Sequence, residues 1–304
     1  MNALIVKLNA TGDVVRTTPL LHRLKGEITW ITAAKNVVLL KDLTSTVRCF
    51  PWEERGRALD REYDLIISLE DELEVATFVK GLRYRQLFGA FLNGDGSVRY
   101  SDDSRRWFDL SLISVYGRQR ADELKLLNRE TYQQLIFDGL GLCFDGASYQ
   151  LPRPAVTELS GDVAIASVAG PVWPMKNWAY YDDLRARLEA KGLRVNVLPP
   201  RPSLLEHLGD VAQHRVLVGG DSLPMHFALG VGTRCVSIFN CTSPWEIHDY
   251  GIQTKLISPL LQEFFYKRGY DEGATTAISV DDVFDAVMAQ VEVAASTTTR
   301  RSTA

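Results

Sequence analysis

The sequence predicts an α/β protein made of two Rossmann-like, doubly wound domains that face a central cleft. Apolar strand patterns alternate with amphipathic helix patterns along the chain, which is the order that βαβ units require. Residues 146–161 contain Gly and Pro but few periodic positions, and they divide the series into two halves. The length of 304 residues accommodates two ordinary domains. We therefore expect an N-terminal domain over residues 1–150 and a C-terminal domain over residues 151–293.

The N-terminal half begins with Leu4-Ile5-Val6-Lys7-Leu8, a run typical of a buried parallel strand. Val14 to Leu24 then carries apolar positions at helical spacing. The patterns that follow predict strands at Ile28–Thr32 and Asp64–Ser68, helices at Asn36–Leu43, Glu72–Lys80, Ala121–Asn128 and Glu130–Leu140, and a loop at 92–106.

The C-terminal half repeats this alternation and ends in a low-complexity tail. Its patterns predict strands at Val163–Ser167, Val195–Leu198, Val216–Val218 and Cys235–Phe239, and helices at Tyr180–Lys191, Ser203–Ala212, Met225–Val231 and Val280–Val293. The stretch from Gly192 to Val216 is short by about one βα unit when judged against ordinary unit lengths. Residues 294–304 are rich in Ser and Thr, which favours a disordered tail.

Composition and charge narrow the range of partners. The net charge of −4 and the sequence pI of about 5.8 argue against nucleic acid as the main partner. Residues 80–129 are locally basic, with ten Lys or Arg against six Asp or Glu. A mixed solvated surface is the favoured interpretation of this segment, and a positive wall for an anionic acceptor is the alternative.

The cysteines and the apolar runs indicate the compartment. The four cysteines form neither a C-x-x-C pair nor zinc-ligand spacing with His, which fits a reducing cytosol. The N-terminal apolar run is too short for a signal peptide, and no apolar segment is long enough to span a bilayer. We expect a cytoplasmic protein with at most peripheral contact with the inner face of a membrane.

Two turns after predicted strands carry candidate chemistry. Residues 219–226 (Gly-Gly-Asp-Ser-Leu-Pro-Met-His) join an apolar strand to a helix start, whose N–H groups suit a diphosphate. Asp221 or Ser222 can N-cap that helix, and Pro224 suits its first turn. Taken alone, the stretch is explained more simply as an ordinary βα turn. Thr11-Gly12-Asp13 forms the other turn, where Asp13 is either an N-cap or a general base facing a cleft.

A third element follows the first strand of the C-terminal half. The loop from Ser167 to Trp178 is rich in Gly and Pro, with Lys176 and two Trp before the next helix. Lys176 can neutralise a leaving phosphate, and Trp178 can pack the loop on the helix. A solvated Lys with a core Trp explains the loop as well.

Taken together, these elements resemble glycosyltransferase family 9, the bacterial heptosyltransferases. The resemblance rests on Thr11-Gly12-Asp13, Pro174-x-Lys176-x-Trp178 and Gly220-Asp221-Ser222-x-x-x-His226, and on the strand and loop at 237–244. It covers roughly residues 1–293. It implies the GT-B fold, no metal, and inverting transfer of a sugar from a nucleotide diphosphate sugar, characteristically ADP-heptose.

The resemblance also implies roles for individual residues. Asp13 would be the general base on the acceptor hydroxyl, and Asp221 would order its turn or contact the donor sugar. The implied donor-binding set is Thr11, Gly12, Lys176, Asp221, Ser222, Leu223, Pro224 and His226. The only expected cofactor is the donor itself, and the acceptor would be a glycan, a glycolipid or a small molecule. A lipopolysaccharide core is the family default.

Departures from the family pattern keep other functions open. Leu223 stands where the family usually has Gly, and Phe239-Asn240-Cys241-Thr242 replaces Phe-Gly-Pro-Thr. The compression between Gly192 and Val216 falls where the family normally contacts the donor base. Pro199-Pro200-Arg201-Pro202 is a candidate lining for the nucleotide pocket instead. The alternatives are a noncatalytic nucleotide or sugar-phosphate binding module and a nucleotide-sugar epimerase on the same fold.

Overall fold

The computed structural model describes residues 1–41 and 43–302, with side chains up to residue 296. It divides into two compact units, residues Met1–Pro152 and Arg153–Ala304. Residues 303–304 of the second unit lie outside the described part of the chain. The division falls two residues after the predicted domain boundary between residues 150 and 151.

The first unit holds a six-stranded sheet in the order β3-β2-β1-β4-β5-β6. Neighbouring strands are parallel, except that β6 pairs with β5 in antiparallel orientation. The strands are β1 (Asn2–Val6), β2 (Glu27–Thr32), β3 (Val47–Pro51), β4 (Glu62–Ser68), β5 (Arg83–Leu92) and β6 (Val98–Tyr100). The helices are α1 (Thr11–Thr17), α2 (Val37–Leu40), α3 (Leu73–Lys80), α4 (Arg105–Phe108), α5 (Arg118–Leu127) and α6 (Tyr132–Gly139).

Both faces of this first sheet are covered by apolar side chains. Ile5 packs with Trp30 and Phe88 on one face, whereas Leu4 and Val6 pack in a separate cluster on the other. Successive side chains of a strand point to opposite faces. A central strand that is buried on both faces must therefore be almost continuously apolar, which explains why β1 is recognisable in the sequence.

The second unit holds a five-stranded parallel sheet in the order β11-β10-β9-β7-β8. The strands are β7 (Gly161–Ala166), β8 (Val195–Val197), β9 (His214–Gly220), β10 (Arg234–Phe239) and β11 (Gln253–Ile257). The helices are α7 (Tyr181–Ala190), α8 (Leu204–Ala212), α9 (Leu223–Val231), α10 (Leu261–Phe264), α11 (Glu272–Thr276) and α12 (Val280–Ser302). The predicted α/β class with doubly wound parallel sheets is thus confirmed.

The strand orders explain the compression noted between Gly192 and Val216. In the first sheet, β2 and β3 both precede the return of the chain to the other side of β1. In the second sheet only β8 precedes the return to β9, so β8 is an edge strand. Within the residues described for the second unit, there is therefore no counterpart of β3 and its helix.

Each sheet has one topological switch point. The chain reverses its direction of winding between β1 and β4 in the first sheet, and between β7 and β9 in the second. Open α/β sheets bind ligands in the crevice outside the carboxyl ends of the strands at such a point. The loops after β1, β4, β7 and β9 are therefore where each unit is built to bind.

Several predicted boundaries differ from the structure. Strands β3, β5 and β11 were not predicted, and the loop expected at 92–106 contains β6. Helix α12 continues past Val293 to Ser302, whereas residues 294–304 were expected to be a disordered tail. Ala294 and Ala295 favour helix, and the sequence offers neither Gly nor Pro to end it there. Residues 303–304 of that tail lie outside the described residues.

None of the helices in the described residues combines the length and the apolar character needed to cross a bilayer.

Candidate active site

A buried ion pair occupies the switch point of the first sheet. The Nζ of Lys7, just after β1, lies 2.9 Å from Oε1 of Glu70, just after β4. The same Glu70 oxygen accepts hydrogen bonds from the main-chain N–H groups of Leu8 and Asn9. Burial alone would lower the pKa of Lys7, but the carboxylates of Glu70 and Asp13 raise it instead. Lys7 is therefore charged, and the pair joins the two strand ends.

Asp13 lies beside this pair with part of its side chain exposed. Its Oδ2 is 4.0 Å from Nζ of Lys7, and its Oδ1 is 3.2 Å from Nη1 of Arg16. The Asp13 side chain is 30% exposed, whereas the side chains of both cations are 9% exposed. Each carboxylate oxygen thus faces a different, nearly buried cation, which fixes the plane of the carboxylate while one side stays open to a substrate.

The turn that presents Asp13 differs from the predicted one. Helix α1 begins at Thr11, so Thr11-Gly12-Asp13 is its first turn, and the N-cap position belongs to Ala10. Ala10 has φ 51°, a left-handed conformation that costs a residue with a Cβ about 1 kcal/mol or more. Asp13 is therefore not an N-cap. The Thr11 hydroxyl donates to Oδ1 of Asn36 at 2.8 Å, which anchors the turn to the loop after β2.

Tyr132, from α6, completes the surroundings of Asp13. The Thr17 hydroxyl donates to the Asp13 carbonyl oxygen at 2.7 Å, so Tyr132, whose Oη is 2.7 Å away, donates to Thr17. The Arg16 guanidinium stacks 4.1 Å from the centroid of the Tyr132 ring. Burial raises the pKa of Tyr132 to about 12. Tyr132 is thus a neutral support that holds Arg16 against Asp13.

A second Lys–carboxylate pair occupies the switch point of the second sheet. The Nζ of Lys176 donates to Oδ2 of Asp221 at 2.9 Å and to its carbonyl oxygen at 2.8 Å. The Thr242 hydroxyl donates to the same Oδ2 at 2.8 Å. Burial alone would raise the pKa of Asp221, but the charges of Lys176 and His226 hold it well below its usual range. Two of the three Lys176 donors are used, and the third is left for a ligand.

Close packing of the loop carrying Lys176 depends on the glycine pair at the end of β9. A Cβ on Gly220 would lie 2.6 Å from the carbonyl oxygen of Lys176, and a Cβ on Gly219 would lie 2.9 Å from that of Ala166. No other residue fits either position without moving the backbone. Asn240 braces the loop from the other side, because its Nδ2 donates to the carbonyl oxygen of Met175 at 3.0 Å. The departure from the family at Asn240 thus has a structural role.

The start of α9 has the geometry of an anion site, with one correction to the predicted cap. Ser222 is the N-cap residue by position, but its side chain makes no capping hydrogen bond, and Asp221 bonds to Lys176 and Thr242 instead. Pro224 lies in the first turn, as predicted. Leu223 is half-buried, so its side chain borders the helix start without being fully enclosed. The first N–H groups of a helix attract anions.

His226 and Trp178 lie deeper in the unit. His226 is 4% exposed, one turn into α9, and its charge acts on Asp221. Trp178 is buried, as predicted, and its Nε1 donates to the carbonyl oxygen of Ile278 at 2.9 Å. Its ring packs edge-on against Tyr181 of α7. Trp178 therefore fixes the loop on the helix.

Arg201 is engaged in a structural network. Its Nε donates to Oδ2 of Asp210 at 2.7 Å, and its Nη2 donates to Glu158 at 3.0 Å. Asp210 is fully buried, so Arg201 is the cation that compensates it. These contacts do not support the suggestion that residues 199–202 line a nucleotide pocket.

Half of the ten basic residues in the segment at 80–129 are locally neutralised. Five of its arginines form ion pairs with nearby acids: Arg85 with Glu62 and Asp64, Arg105 with Asp109, Arg106 with Glu130 and Asp138, Arg118 with Asp122, and Arg120 with Glu123. This supports the mixed solvated surface over the positive wall.

Sequence reasoning missed the partners of the predicted residues. Glu70 was not among the predicted site residues, and it lies in the loop between β4 and α3, which begins at Leu73. The signal for Lys7 was a charged residue inside an apolar strand run, and the signal for Glu70 was an acid directly after a strand. In the residues that the structure describes, no group of three or more His, Cys, Asp or Glu is placed to hold a metal ion.

Comparisons with known proteins address both the family and the fold. Residues 168–264 match the model of glycosyltransferase family 9 (heptosyltransferase). This segment contains the Lys176–Asp221–Thr242 network and the start of α9. No curated protein matches the chain.

Solved structures match nearly the whole chain. Escherichia coli heptosyltransferase WaaC with ADP superposes with a TM-score of 0.62 at 15% identity, covering 95% of this chain and 100% of that one. The E. coli ADP-heptose lipopolysaccharide heptosyltransferase II gives 0.63 at 15%, covering 96% and 98%. WaaC with ADP-2-deoxy-2-fluoro heptose gives 0.62 at 14%, covering 95% and 99%. These similarities show the GT-B type of fold. The family match over residues 168–264 confirms the predicted resemblance to glycosyltransferase family 9 and identifies the chain as a glycosyltransferase.

Proposed function

We propose that this glycosyltransferase moves heptose from ADP-heptose to an acceptor hydroxyl, with inversion, without a metal, and with Asp13 as the general base. The observation that carries the proposal is the content of the two switch points. The first holds a partly exposed carboxylate between two cations, and the second holds a lysine at an uncapped helix start. A base and an anion site are what transfer from a diphosphate sugar requires.

In the proposed reaction, Asp13 receives the proton of the acceptor hydroxyl. The acceptor oxygen forms the new bond to the anomeric carbon, and the bond from that carbon to the diphosphate oxygen breaks on the opposite face. The electron pair of the broken bond leaves with the diphosphate. Lys7 and Arg16 hold the Asp13 carboxylate in one orientation, so it meets the hydroxyl without first having to rotate.

Groups of the second unit stabilise the negative charge that develops on the departing diphosphate. The third Lys176 donor, the N–H groups at the start of α9 and His226 are the proposed contacts, with Ser222, Leu223 and Pro224 forming the helix start. Asp221 positions Lys176. Thr11 and Gly12 shape the turn that carries Asp13, and their predicted contact with the donor stays a prediction.

Support for the donor comes from the similar structures. WaaC is described with ADP and with a fluorinated ADP-heptose analogue, and the second E. coli enzyme is named for ADP-heptose. We propose the same donor class here, with a glycan, glycolipid or small molecule as acceptor, a cytoplasmic location and at most peripheral membrane contact. In the second unit, the Lys176 ammonium is a cation that can stabilise a leaving diphosphate directly.

One observation favours a second candidate, a noncatalytic nucleotide-binding module. Leu223 places a side chain at the helix start where the family usually has Gly. Its main-chain N–H remains, so phosphate binding is retained in either case. The two functions differ in whether sugar is transferred, and an epimerase would differ from both by changing the donor sugar with no acceptor present.

The test is calorimetric titration of the purified protein with ADP, GDP, UDP and TDP, with no added metal. We expect saturable binding of ADP, weakened by about tenfold or more in Lys176→Ala, because a charge-assisted hydrogen bond to phosphate is lost. Lys191→Ala, an exposed lysine at the end of α7, is the control for the loss of one charge. No binding of any of the four nucleotides would overturn the proposal.

A further inference from the structure

The residues at the second switch point supply little accessible positive charge for a diphosphate. The positive charge of Lys176 is cancelled by Asp221, to which it donates two hydrogen bonds. The pair is therefore close to neutral, and His226, whose charge also acts on Asp221, is almost completely buried. The proposed ligand, by contrast, is a diphosphate. A further cation near this point would complete the site.

The segment after α10 brings such a cation to the loop that carries Lys176. The rings of Trp173 and Tyr266 meet edge-on with centroids 5.5 Å apart. The guanidinium carbon of Arg268 lies 5.7 Å from the centroid of the Trp173 ring. Arginine binds aromatic faces well in this range, so Trp173 holds the Arg268 side chain at the loop.

Main-chain hydrogen bonds tie both aromatic residues to the Lys176–Asp221–Thr242 network. The N–H of Lys176 donates to the carbonyl oxygen of Trp173 at 3.0 Å. The N–H of Tyr266 donates to the carbonyl oxygen of Cys241, the residue before Thr242, at 2.8 Å. The Trp173–Tyr266–Arg268 group is thus an edge of the same site.

The Trp173–Tyr266–Arg268 group depends on an unusual backbone conformation at Tyr266. Tyr266 has φ 50°, a left-handed conformation that a bulky residue rarely adopts. This turn directs the chain from α10 back, so that Arg268 returns over Trp173. Strained residues of this kind concentrate at binding sites. The strained turn at Tyr266 places its own ring and the Arg268 side chain beside Trp173.

Arg268 has the properties of a ligand-binding cation. It is exposed, and among the described residues no ion pair to an acid is found for it. Its planar guanidinium presents paired N–H donors that match two phosphate oxygens. The neighbouring Lys267 has the same charge, but its Nζ lies over the Phe264 ring at 5.9 Å.

We propose that Arg268, presented by Trp173 and Tyr266, is a second cation that binds the diphosphate of the donor. This inference rests on the proposed function, because it assigns a residue to the same donor site. It also assigns a division of labour: the Lys176–Asp221 pair fixes the geometry of the helix start, and Arg268 supplies the uncompensated positive charge.

The experiment compares Arg268→Gln, Arg268→Lys and the control Lys267→Gln by calorimetry with ADP and with adenosine. We expect Arg268→Gln to weaken ADP binding by about tenfold and to leave adenosine binding unchanged. Arg268→Lys keeps the charge but not the paired donors, so it should recover part of the affinity. Lys267→Gln should bind ADP within about twofold of the wild type.

Two results would overturn the inference while leaving the proposed function standing. One is wild-type affinity for ADP in Arg268→Gln, and the other is an equal loss in Arg268→Gln and Lys267→Gln. Failure of the wild-type protein to bind any nucleoside diphosphate is a different result, which overturns the proposed function and this inference together.

Discussion

Two Lys–carboxylate pairs, one in each unit, occupy equivalent places and differ in what surrounds them. Lys7–Glu70 follows β1 and β4, Lys176–Asp221 follows β7 and β9, and both pairs have an N–O distance of 2.9 Å. Each bridges the two strands between which its sheet reverses winding. The pair itself therefore serves the same purpose in both units: it holds the two strand ends together at the switch point.

The groups beside the pairs are opposite in character. Next to Lys7–Glu70 stands an additional carboxylate, Asp13, which is 30% exposed. Next to Lys176–Asp221 stand hydrogen-bond donors, namely the start of α9 and the spare lysine proton. One switch point thus offers an acceptor of protons and the other offers a site for anions. In both units the Lys–carboxylate pair positions the strand ends. The group beside the pair, Asp13 in the first unit and the start of α9 in the second, determines what each switch point can do chemically.

The strongest way to break this comparison is to remove the charge of the extra carboxylate at the first switch point. Asp13→Asn should lower the turnover of ADP-heptose by about a hundredfold or more, because the base is lost. ADP binding should stay nearly unchanged. The measurement is ADP release with an acceptor glycolipid, beside calorimetry with ADP.

The control for this prediction is Asp145→Asn, since Asp145 pairs with Arg23 at the surface of the same unit. It should keep full turnover. Equal activity of Asp13→Asn and the wild-type protein would remove Asp13 from the base role. A loss of ADP affinity in Asp13→Asn would show that the two units do not divide the work as proposed.

Stability gives the second comparison, because the first pair is more deeply buried than the second. Lys7→Met leaves Glu70 as a buried carboxylate without a cation. We expect the free energy of unfolding to fall by about 3 kcal/mol or more, a cost typical of breaking a buried ion pair. Urea denaturation of the variant and of Lys80→Met, an exposed lysine of α3, measures the difference. A change no larger than that of Lys80→Met would contradict a structural role for Lys7.

The fold and the site were predictable from the sequence to different extents. Central strands such as β1 and β4 are buried on both faces and show continuous apolar runs. Strands β3 and β11 lie at the sheet edges, and most of their residues are partly exposed, so their patterns are weak.

The same limit applies to the site. Asp13, Lys176 and Asp221 are recognisable because each lies in a short motif after a strand. The ion pairs of the site join residues that are distant in sequence: Lys7 and Glu70 are 63 positions apart, and Lys176 and Asp221 are 45 positions apart. Only the strand order brings such residues together, and the sequence carries no local signal for that order. The missed residues are therefore those that position the predicted ones.

The smallest expected effect is the loss, at acidic pH, of the stability that the charge of Asp221 contributes to the second pair. The pKa of Asp221 is lowered in the folded state, and that of an unfolded Asp is about 3.9. Asp221 therefore stabilises the fold above about pH 4 and loses this contribution as the pH falls toward its folded pKa. Asp221→Asn should cost about 2 kcal/mol at pH 7, and that difference from the wild type should shrink below about pH 4. Urea denaturation across this range measures it. A difference that stays constant with pH would mean that the charge of Asp221 contributes nothing, and that the second pair acts only through its hydrogen bonds.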